Sequence, residues 1–334
     1  MPGIITWYLH GIGGDDAPST LADLRLAASR SEFEPRVLLD ADKWDFLIRE
    51  GVPATIPGFV PLGELASTKR GLATGANDFF HISAPRAVEL NLRSEILTPC
   101  VGKATDIRGF DFTNSAYQKL VASGRRVYFL QFGDTLSEAE RAYIAFGEQG
   151  QLNSRYLCAV RHPWYSGEKQ TAAPIWAAVF GRQGLRFIHN RARALTLTTF
   201  HCVYPHDTSE LAVAALIVCL NAPSTQAKAR AHTRVYGGGL LKFEPRDLLE
   251  IMVPDFRCVG AETIQALARH QALIAAQTEE GGNDDINWSP VETLIREAAS
   301  EAARHQVSLA KMPREQTQLP LLRAAHKRRV ARDA

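Results

Sequence analysis

Hydrophobic and polar positions follow a period of two over several short stretches of this chain and a helical period over others. Short stretches rich in β-branched and aromatic residues, bounded by Gly, Pro, Asn or Asp, are typical of strands. Strands are predicted at residues 62–66, 79–83, 127–132, 175–180, 185–188 and 198–204. Helices are predicted at residues 137–146, 210–220, 261–277 and 290–304, and a further helix is predicted to begin at Pro245. The pattern predicts an α+β fold, with a twisted, mainly antiparallel sheet and helices packed around it.

The N-terminal region has a pattern of its own. An apolar run at residues 4–9, a stretch rich in Gly, Asp and Pro, and an alternating run at residues 21–26 predict a hairpin. Residues 44–48 have the pattern of a short helix, and the prolines that follow them indicate a boundary. We therefore expect a hairpin with its linker at residues 1–50, a central domain at residues 51–258, and a helical segment with a basic tail at residues 259–334.

Composition is that of a soluble globular protein. Of the 334 residues, 46% are hydrophobic and 22% are charged, and the formal net charge of +2 excludes a polycation. The five cysteines are odd in number and form no C-x-x-C pair. This argues against a disulfide scaffold or a zinc site and indicates a reducing compartment. No apolar run is long enough to span a membrane, so we expect a cytoplasmic protein without a metal site.

Charge is distributed unevenly along the chain. Residues 151–194 contain seven Lys or Arg and a single acid, Glu168, whereas residues 278–301 contain seven acids and a single Arg. In the first stretch the cations interleave with large rings, a mixture that favours phosphate binding, cation–π contacts and stacking. Fields are screened within roughly 8–10 Å at physiological salt, so local basic stretches matter more for nucleic acid than the net charge does.

Two glycine-rich segments far apart in the chain carry further candidate chemistry. Residues 69–80 read Lys-Arg-Gly-Leu-Ala-Thr-Gly-Ala-Asn-Asp-Phe-Phe, and residues 234–245 read Arg-Val-Tyr-Gly-Gly-Gly-Leu-Leu-Lys-Phe-Glu-Pro. Each places backbone without a Cβ beside a cation and an aromatic ring. Glycine lets the backbone approach a ligand closely, and Arg, Lys and backbone N–H groups suit phosphates and base edges.

In order and spacing, these segments resemble the C-terminal target-recognition half of TaqI-like and Eco57I-like (gamma-class) adenine-N6 DNA methyltransferases. The resemblance runs from about Trp44 to about Pro254 and ends on a Val-Pro-Asp tripeptide. It implies a domain that reads double-stranded DNA in the major groove while a catalytic domain flips the target adenine. The DNA contacts that we expect on this basis are Lys69, Arg70, Gly71, Thr74, Gly75, Asn77, Arg155, Arg161, Trp164, Tyr165, Lys169, Arg182, Tyr236, Gly237, Gly238, Gly239 and Lys242.

Two motifs of such enzymes are missing from the sequence. No Pro-Pro dipeptide occurs, so there is no Asn/Asp-Pro-Pro-Tyr/Phe tetrapeptide to grip a flipped adenine. The only glycine-rich loop near the start, at residues 10–14, has no acidic ribose-binding residue on a following strand. We therefore expect no catalytic residue and no cofactor on this chain, with S-adenosylmethionine bound by a separate methyltransferase catalytic chain. The first hairpin then resembles the vestigial end of a catalytic domain in a split or truncated gene.

Other functions stay open at this point. One alternative is a specificity or scaffold subunit of a restriction or phage-defence complex, with the helices after Ala261 contacting a partner protein. A second is an independent hydrolase or nuclease. Residues 10–14 resemble an α/β-hydrolase oxyanion loop, but no Gly-x-Ser-x-Gly elbow follows them. The Asp284-Asp285 pair lies in a Gly/Asn-rich stretch that is typical of a solvated turn.

Overall fold

The computed structural model describes residues 5–9, 29–33, 56–181, 185–230, 234–236, 240–280 and 286–310. The chain divides into two compact units, Met1–Ile56 and Pro57–Ala334. In the first unit, strands β1 (Ile5–Leu9) and β2 (Ser29–Phe33) form an antiparallel pair.

The first strand of the predicted N-terminal hairpin is confirmed, and its described partner lies at residues 29–33. The sequence of this partner, Ser-Arg-Ser-Glu-Phe, is almost entirely polar, so hydrophobic alternation does not reveal it. Residues 21–26, predicted as the second strand, lie outside the described residues. The rest of residues 10–28 and the helix predicted at 44–48 also lie outside them.

The second unit contains short strands arranged in several small sheets. The strands are β3 (Phe59–Pro61), β4 (Ala66–Arg70), β5 (His81–Ser83), β6 (Leu97–Val101), β7 (Asp111–Phe112), β8 (Arg126–Leu130), β9 (Ile175–Ala178), β10 (Phe180–Gly181), β11 (Phe187–Asn190), β12 (Leu195–Thr196), β13 (Phe200–Pro205), β14 (Arg234–Tyr236), β15 (Leu240–Lys242) and β16 (Met252–Pro254). Their order is β4-β13-β9-β11-β7 in the largest sheet, β12-β6-β8-β5 in the next, and β10-β15-β14 and β16-β3 in the smaller ones. Pairing is antiparallel except between β11 and β7 and between β12 and β6, so the sheets are mainly antiparallel, as predicted.

Helices surround these sheets and complete an α+β fold. The helices predicted near residues 137, 210, 245, 261 and 290 are all present, each beginning within a residue of the predicted position. Five other helices of the described residues were not predicted, namely those that begin at Asn77, Ala84, Asn114, Tyr156 and Pro223. The helices are α1 (Asn77–Phe80), α2 (Ala84–Glu89), α3 (Asn114–Ala122), α4 (Glu138–Gln149), α5 (Tyr156–Ala159), α6 (Glu210–Asn221), α7 (Pro223–Arg230), α8 (Pro245–Leu249), α9 (Ala261–Glu280) and α10 (Ser289–Ala310).

Helix α6 is the central helix of the unit. Ser209 caps its first turn by accepting a hydrogen bond from Ala212 N, and every residue from 213 to 221 is buried. A helix that is apolar on all sides needs neighbours on all sides. One side of α6 packs on the largest sheet, for example at Leu216 and Ile217, and the other side packs on α9 and α10. The predicted C-terminal helical segment therefore shares a core with the predicted central domain, and the division of the chain at 258/259 stays a prediction.

The opposite face of the largest sheet packs on the four-stranded sheet. Trp176, on the central strand β9, is fully buried between Phe112 and Phe200, with ring centroids 5.4 Å from each. All four residues of β9 are buried, as expected for a strand covered on both faces. This double cover makes the largest sheet the framework from which the edge strand β4 and the loop after it project.

Two predicted strands are wrong in their conformation. Residues 62–64 form a 3-10 helix, closed by a hydrogen bond from Leu65 N to Leu62 O, and the strand begins only at Ala66. Phe79 and Phe80 end helix α1, and only residues 81–83 are extended. Both phenylalanines are buried, because a helical turn can direct neighbouring side chains into one core, whereas a strand sends them to opposite faces.

No single helix among those described is long and apolar enough to cross a membrane. The consecutive helices α6 and α7 meet the length and composition only when taken together, with a bend of 67° between them.

Candidate nucleic-acid interface

The first glycine-rich segment forms a loop, here called the motif loop (residues 70–77), that leaves the edge strand β4. Gly71 N donates to Phe200 O at 3.0 Å, and Leu72 N donates to Thr196 O at 2.8 Å. A Cβ on Gly71 would lie 2.1 Å from Leu197 O, so only glycine fits this close approach of two backbones. The predicted ligand-facing Gly71 is instead packed against the protein itself.

The second half of the motif loop is a tight, internally hydrogen-bonded turn. Thr74 Oγ1 accepts from Ala76 N at 3.0 Å and donates to Asn77 Oδ1 at 2.5 Å. Gly75 has φ +78°, and a Cβ there would lie 2.8 Å from Leu157 Cβ. Thr74 is buried, so Thr74 and Gly75 shape the loop from within, whereas Asn77 is exposed at its end.

Residues 155–170, here called the bracing segment, hold the motif loop in place. The Arg161 guanidinium donates to Ala73 O at 2.6 Å and to Thr74 O at 2.8 Å. Cys158 Sγ lies 3.7 Å from Thr74 O, and Arg155 donates to Gly75 O at 3.4 Å. The structure therefore brings the predicted DNA contacts of residues 69–77 together with those of residues 155–169, about 80 residues away in sequence, in a single site.

Two aromatic residues of the bracing segment, Trp164 and Tyr165, serve packing. Trp164 lies 5.2 Å from Phe79 between ring centroids, and its Nε1 donates to Glu148 Oε1 at 3.0 Å. Tyr165 lies edge-on to Phe132 at 5.7 Å. Both rings belong to the margin of a hydrophobic cluster under the motif loop, where offset and edge-on ring pairs stabilise a core. Trp164 is partly buried in this position, and its contact with DNA stays a prediction.

A cleft of about 540 Å³ opens beside the motif loop. Lys69 and Lys169 stand in its wall, and both are exposed. Neither lysine has a side-chain hydrogen bond or ion pair with the part of the chain that the structure describes. The other lining residues are mostly polar and comprise Gln131, Phe132, Ser166, Gly167, Gln170 and Thr171.

Glu168 lies in sequence between two lining residues of this cleft, Gly167 and Lys169, and pairs with Arg70. One oxygen of its carboxylate, Oε2, accepts from Arg70 Nη1 at 3.0 Å and from Ala73 N at 3.2 Å. The Arg70 side chain is about half exposed and also donates to Gly71 O at 3.0 Å. Arg70 is therefore aimed by the protein but still accessible to a ligand. Sequence reasoning noted Glu168 only as the sole acid of a basic stretch, and that isolation was the available signal for its role.

Gln131 and Gln170 were missed by sequence reasoning. Gln170 Nε2 donates to Tyr204 Oη at 3.0 Å and to Arg70 O at 3.3 Å, and Gln131 Oε1 accepts from Thr98 Oγ1 at 2.8 Å. Gln131 directly follows β8 and Gln170 lies in the bracing segment, so no spacing in the sequence connects them.

Arg182 and the predicted DNA contacts in the second glycine-rich segment are described only in part. Arg182, Gly237, Gly238 and Gly239 lie outside the described residues, and Tyr236 is described as a backbone position opposite Leu240. Lys242 Nζ pairs with Glu244 Oε1 at 2.7 Å.

The chain that follows β15 is tied directly to the strand that carries the motif loop. Thr68 Oγ1 donates to Pro245 O at 2.8 Å, and His201 Nε2 contacts Phe243 O at 2.7 Å. Thr68 is the neighbour of Lys69 on β4, and His201 lies opposite Arg70 on β13. The end of the second glycine-rich segment therefore lies next to the strand that leads into the first.

Titratable groups near the site favour binding over covalent chemistry. Burial raises the pKa of the Cys158 thiol, which keeps it protonated and weakly nucleophilic. Burial also lowers the pKa of His201, so this ring is neutral at physiological pH. Among the described residues no group of three or more His, Cys, Asp and Glu is placed to hold a metal ion.

Residues 38–281 match the family described as "Type II methyltransferase M.Eco57I, C-terminal domain". The chain belongs to this family. As an M.Eco57I C-terminal domain, it includes the motif loop, the bracing segment and the cleft within the matched residues. The resemblance inferred from the glycine-rich motifs is thereby confirmed.

Individual relatives show how much of a longer protein this chain corresponds to. It is 34% identical over 235 residues to the type II methyltransferase M.AccI of Acinetobacter calcoaceticus, covering 70% of this chain and 43% of that protein. It is 28% identical over 247 residues to M.XamI of Xanthomonas campestris pv. amaranthicola, covering 72% and 45%. The chain thus spans less than half the length of these curated relatives. Among solved structures, it is similar to the type IIG restriction endonuclease BpuSI with a TM-score of 0.46 and 14% identity, covering 84% of this chain and 36% of that one.

Proposed function

We propose that this domain binds double-stranded DNA and recognises the target site of an adenine-N6 methyltransferase of a restriction-modification or phage-defence system. The observation that carries the proposal is the cleft beside the motif loop. Its wall presents Lys69 and Lys169, which have no side-chain partner among the described residues, and Arg70 is held half-exposed next to them. Unpaired lysines and an aimed guanidinium are the groups that bind phosphates and guanine edges.

The chemistry of methyl transfer is proposed to lie elsewhere. The sequence contains no Asn/Asp-Pro-Pro-Tyr/Phe tetrapeptide, and this motif supplies the groups that hold a flipped adenine. We propose that a separate catalytic chain brings this motif together with S-adenosylmethionine, while the present domain positions that chain on its site.

Selection of bound sequences from a random duplex DNA pool at about 0.1 M salt tests the proposal directly. We expect the purified chain to enrich a short, asymmetric motif that contains adenine. Binding without enrichment would favour the alternative of a scaffold subunit that contacts a partner protein. Failure to bind duplex DNA at all would contradict the proposal.

The role of the cleft has its own measurement. Lys69→Ala and Lys169→Ala should each weaken binding to every duplex and make the slope of log K against log salt less negative by about 1, because one phosphate contact is lost. Lys119→Ala is the matched control, since Lys119 is an exposed lysine on α3, away from the cleft lining. An unchanged slope in both cleft variants would exclude the cleft as the phosphate-binding surface.

A further inference from the structure

A short segment at the junction of α4 and α5 has a hydrogen-bonded backbone and exposed side chains, of which the site described so far includes only Arg155. Gln151 N donates to Glu148 O at 2.9 Å, Ser154 N to Gln151 O at 3.2 Å, and Arg155 N to Leu152 O at 3.2 Å. Ser154 Oγ adds a bond to Gln151 O at 2.7 Å. Successive turns therefore fix residues 151–156, here called the reader segment, without help from a ligand.

The inner side of the reader segment rests on the motif loop. Leu152 packs on the hydrophobic cluster under the loop, and Cys158, one turn further on, is fully buried in it. Leu157 contacts Gly75 so closely that a Cβ on the glycine would lie 2.8 Å from Leu157 Cβ. Gly75 and Thr74 of the motif loop thus form the surface on which the reader segment and the residues after it pack.

The outer side of the reader segment is composed almost entirely of exposed side chains. Gln151, Asn153, Ser154, Arg155 and Tyr156 are all exposed. The amides of Gln151 and Asn153 and the hydroxyl of Tyr156 have no hydrogen-bond partner in the described ranges of the chain. Tyr156 is 80% exposed, and Val160, four residues later, is 60% exposed.

These side-chain types match the edges of base pairs in the major groove. An Asn or Gln amide pairs with the two polar groups of adenine, an Arg guanidinium pairs with guanine, and an apolar group contacts the thymine methyl. The local charge agrees with this partner, since residues 149–167 contain no acid and two arginines. The nearest acids are engaged, because Glu148 accepts from Trp164 and Asp78 is paired with Arg126, which holds its pKa below the usual range.

We propose that the reader segment is the base-reading element of this domain, with Asn153 and Arg155 as its specificity-determining residues and Tyr156 with Val160 as an apolar contact beside them. Thr74, Gly75 and Arg161, whose sequence motif suggests DNA contact, are then the support that orients this element. The inference rests on the proposed function and adds to it which residues read bases and which do not.

The decisive experiment repeats the duplex selection with the full chain and its Asn153→Ala, Arg155→Ala and Arg155→Lys variants. We expect Asn153→Ala to lose discrimination at a single position by roughly 5- to 100-fold, with affinity for an unrelated duplex nearly unchanged. Arg155→Lys should keep the affinity for unrelated duplexes, because the charge remains, yet lose preference at its own position, because the bidentate fork is gone. Arg155→Ala should lose both.

Controls and outcomes separate this inference from the function on which it rests. Asn114→Ala and Arg269→Ala remove an exposed Asn and an exposed Arg from α3 and α9, and both should leave the selected motif unchanged. Thermal unfolding of each variant confirms that the fold is retained. If wild type selects a motif and all three reader variants select the same motif with equal discrimination, the inference is overturned and the proposed function stands. If wild type binds no duplex, both fail.

Discussion

The motif loop and the reader segment lie against each other and use their polar groups in opposite ways. In the motif loop, Thr74 is buried and its hydroxyl bonds Ala76 and Asn77, while the carbonyls around it receive Arg161. In the reader segment, the backbone satisfies itself and the side chains of Asn153 and Tyr156 have no partner in the described residues. The distinctive sequence motif therefore marks the motif loop, where the backbone is tightly constrained. The side chains without a partner among the described residues lie on the neighbouring reader segment, whose sequence carries no such motif.

The largest expected effect comes from breaking the close backbone approach in the motif loop. Gly71→Ala places a Cβ within 2.1 Å of Leu197 O, and neither backbone can give way cheaply. We expect a loss of about 3 kcal/mol in the free energy of unfolding, measured by denaturant titration. Gly133→Ala is the control, since a Cβ there meets nothing within 4 Å, and it should change stability by less than about 0.5 kcal/mol. Equal effects in the two variants would refute the structural role of Gly71.

A smaller effect is expected from removing the brace while leaving the loop backbone alone. Arg161→Ala deletes two charge-assisted bonds to the carbonyls of Ala73 and Thr74, and we expect it to cost about 2 kcal/mol of stability. Arg161→Lys should recover part of this loss, because an ammonium cannot span both carbonyls as a guanidinium does. Arg141→Ala removes a single exposed bond to Leu136 O and serves as the control. If Arg161→Ala and Arg141→Ala lower the free energy of unfolding by the same amount, Arg161 does not stabilise the motif loop as inferred.

Acid should weaken the framework beneath both regions. Burial, followed by the nearby Arg191 charge, lowers the pKa of His189 from 6.5 to about 4, and His81 and His201 are shifted in the same direction by burial. A group with a depressed folded pKa that must stay neutral contributes full stability above pH 6.5 and loses it as pH falls towards 4. For His189 the loss between pH 7.5 and pH 5 is about 2 kcal/mol.

The contribution of His189 is isolated by His189→Gln, which removes the titrating group. Denaturant titration at pH 7.5 and pH 5 should show a smaller difference in this variant than in wild type. His189 Nε2 lies 3.7 Å from Glu210 Oε2, and the Arg191 charge is also nearby. The free energies of unfolding of the variant and of wild type are therefore compared at both pH values. An identical pH dependence in the two proteins would mean that His189 does not titrate in the folded state as inferred.

The smallest effect on stability is expected from a substitution at Glu168, which should also change the affinity for duplex DNA. Glu168→Gln keeps an oxygen for Ala73 N but removes the charge that pairs with Arg70, so stability should change by less than about 1 kcal/mol. Binding to duplex DNA should strengthen by roughly 2- to 5-fold, because an acid leaves the basic cleft. Arg70→Ala should weaken binding by about 5- to 100-fold. Opposite signs support a cleft that binds phosphate, and equal signs would contradict it.

Much of the fold could be predicted because its signals are local. The run of apolar residues in α6, the Ser137 and Pro245 helix starts, and the short apolar run of β9 are all contained within single elements. The errors arose where a distant contact decided the conformation. Phe79 and Phe80 have a strand-like sequence but pack as a helical turn on a cluster that includes Tyr143 and Trp164. The 3-10 helix at residues 62–64 is joined to a distant part of the chain by a hydrogen bond from Leu62 N to Ile251 O.

By itself the sequence determined the α+β class, half of the described helices including the four longest, the family resemblance and a basic stretch with one acid in it. These follow from periodicity, capping residues and motif spacing, which are properties of neighbours along the chain. Only the tertiary structure decided what each polar group does. Arg161 donates to backbone carbonyls, Lys69 and Lys169 line the same cleft, and Glu168 accepts a hydrogen bond from Arg70. Residues nearly a hundred positions apart make these contacts, and whether a cation is satisfied by the protein or left for a ligand depends on them.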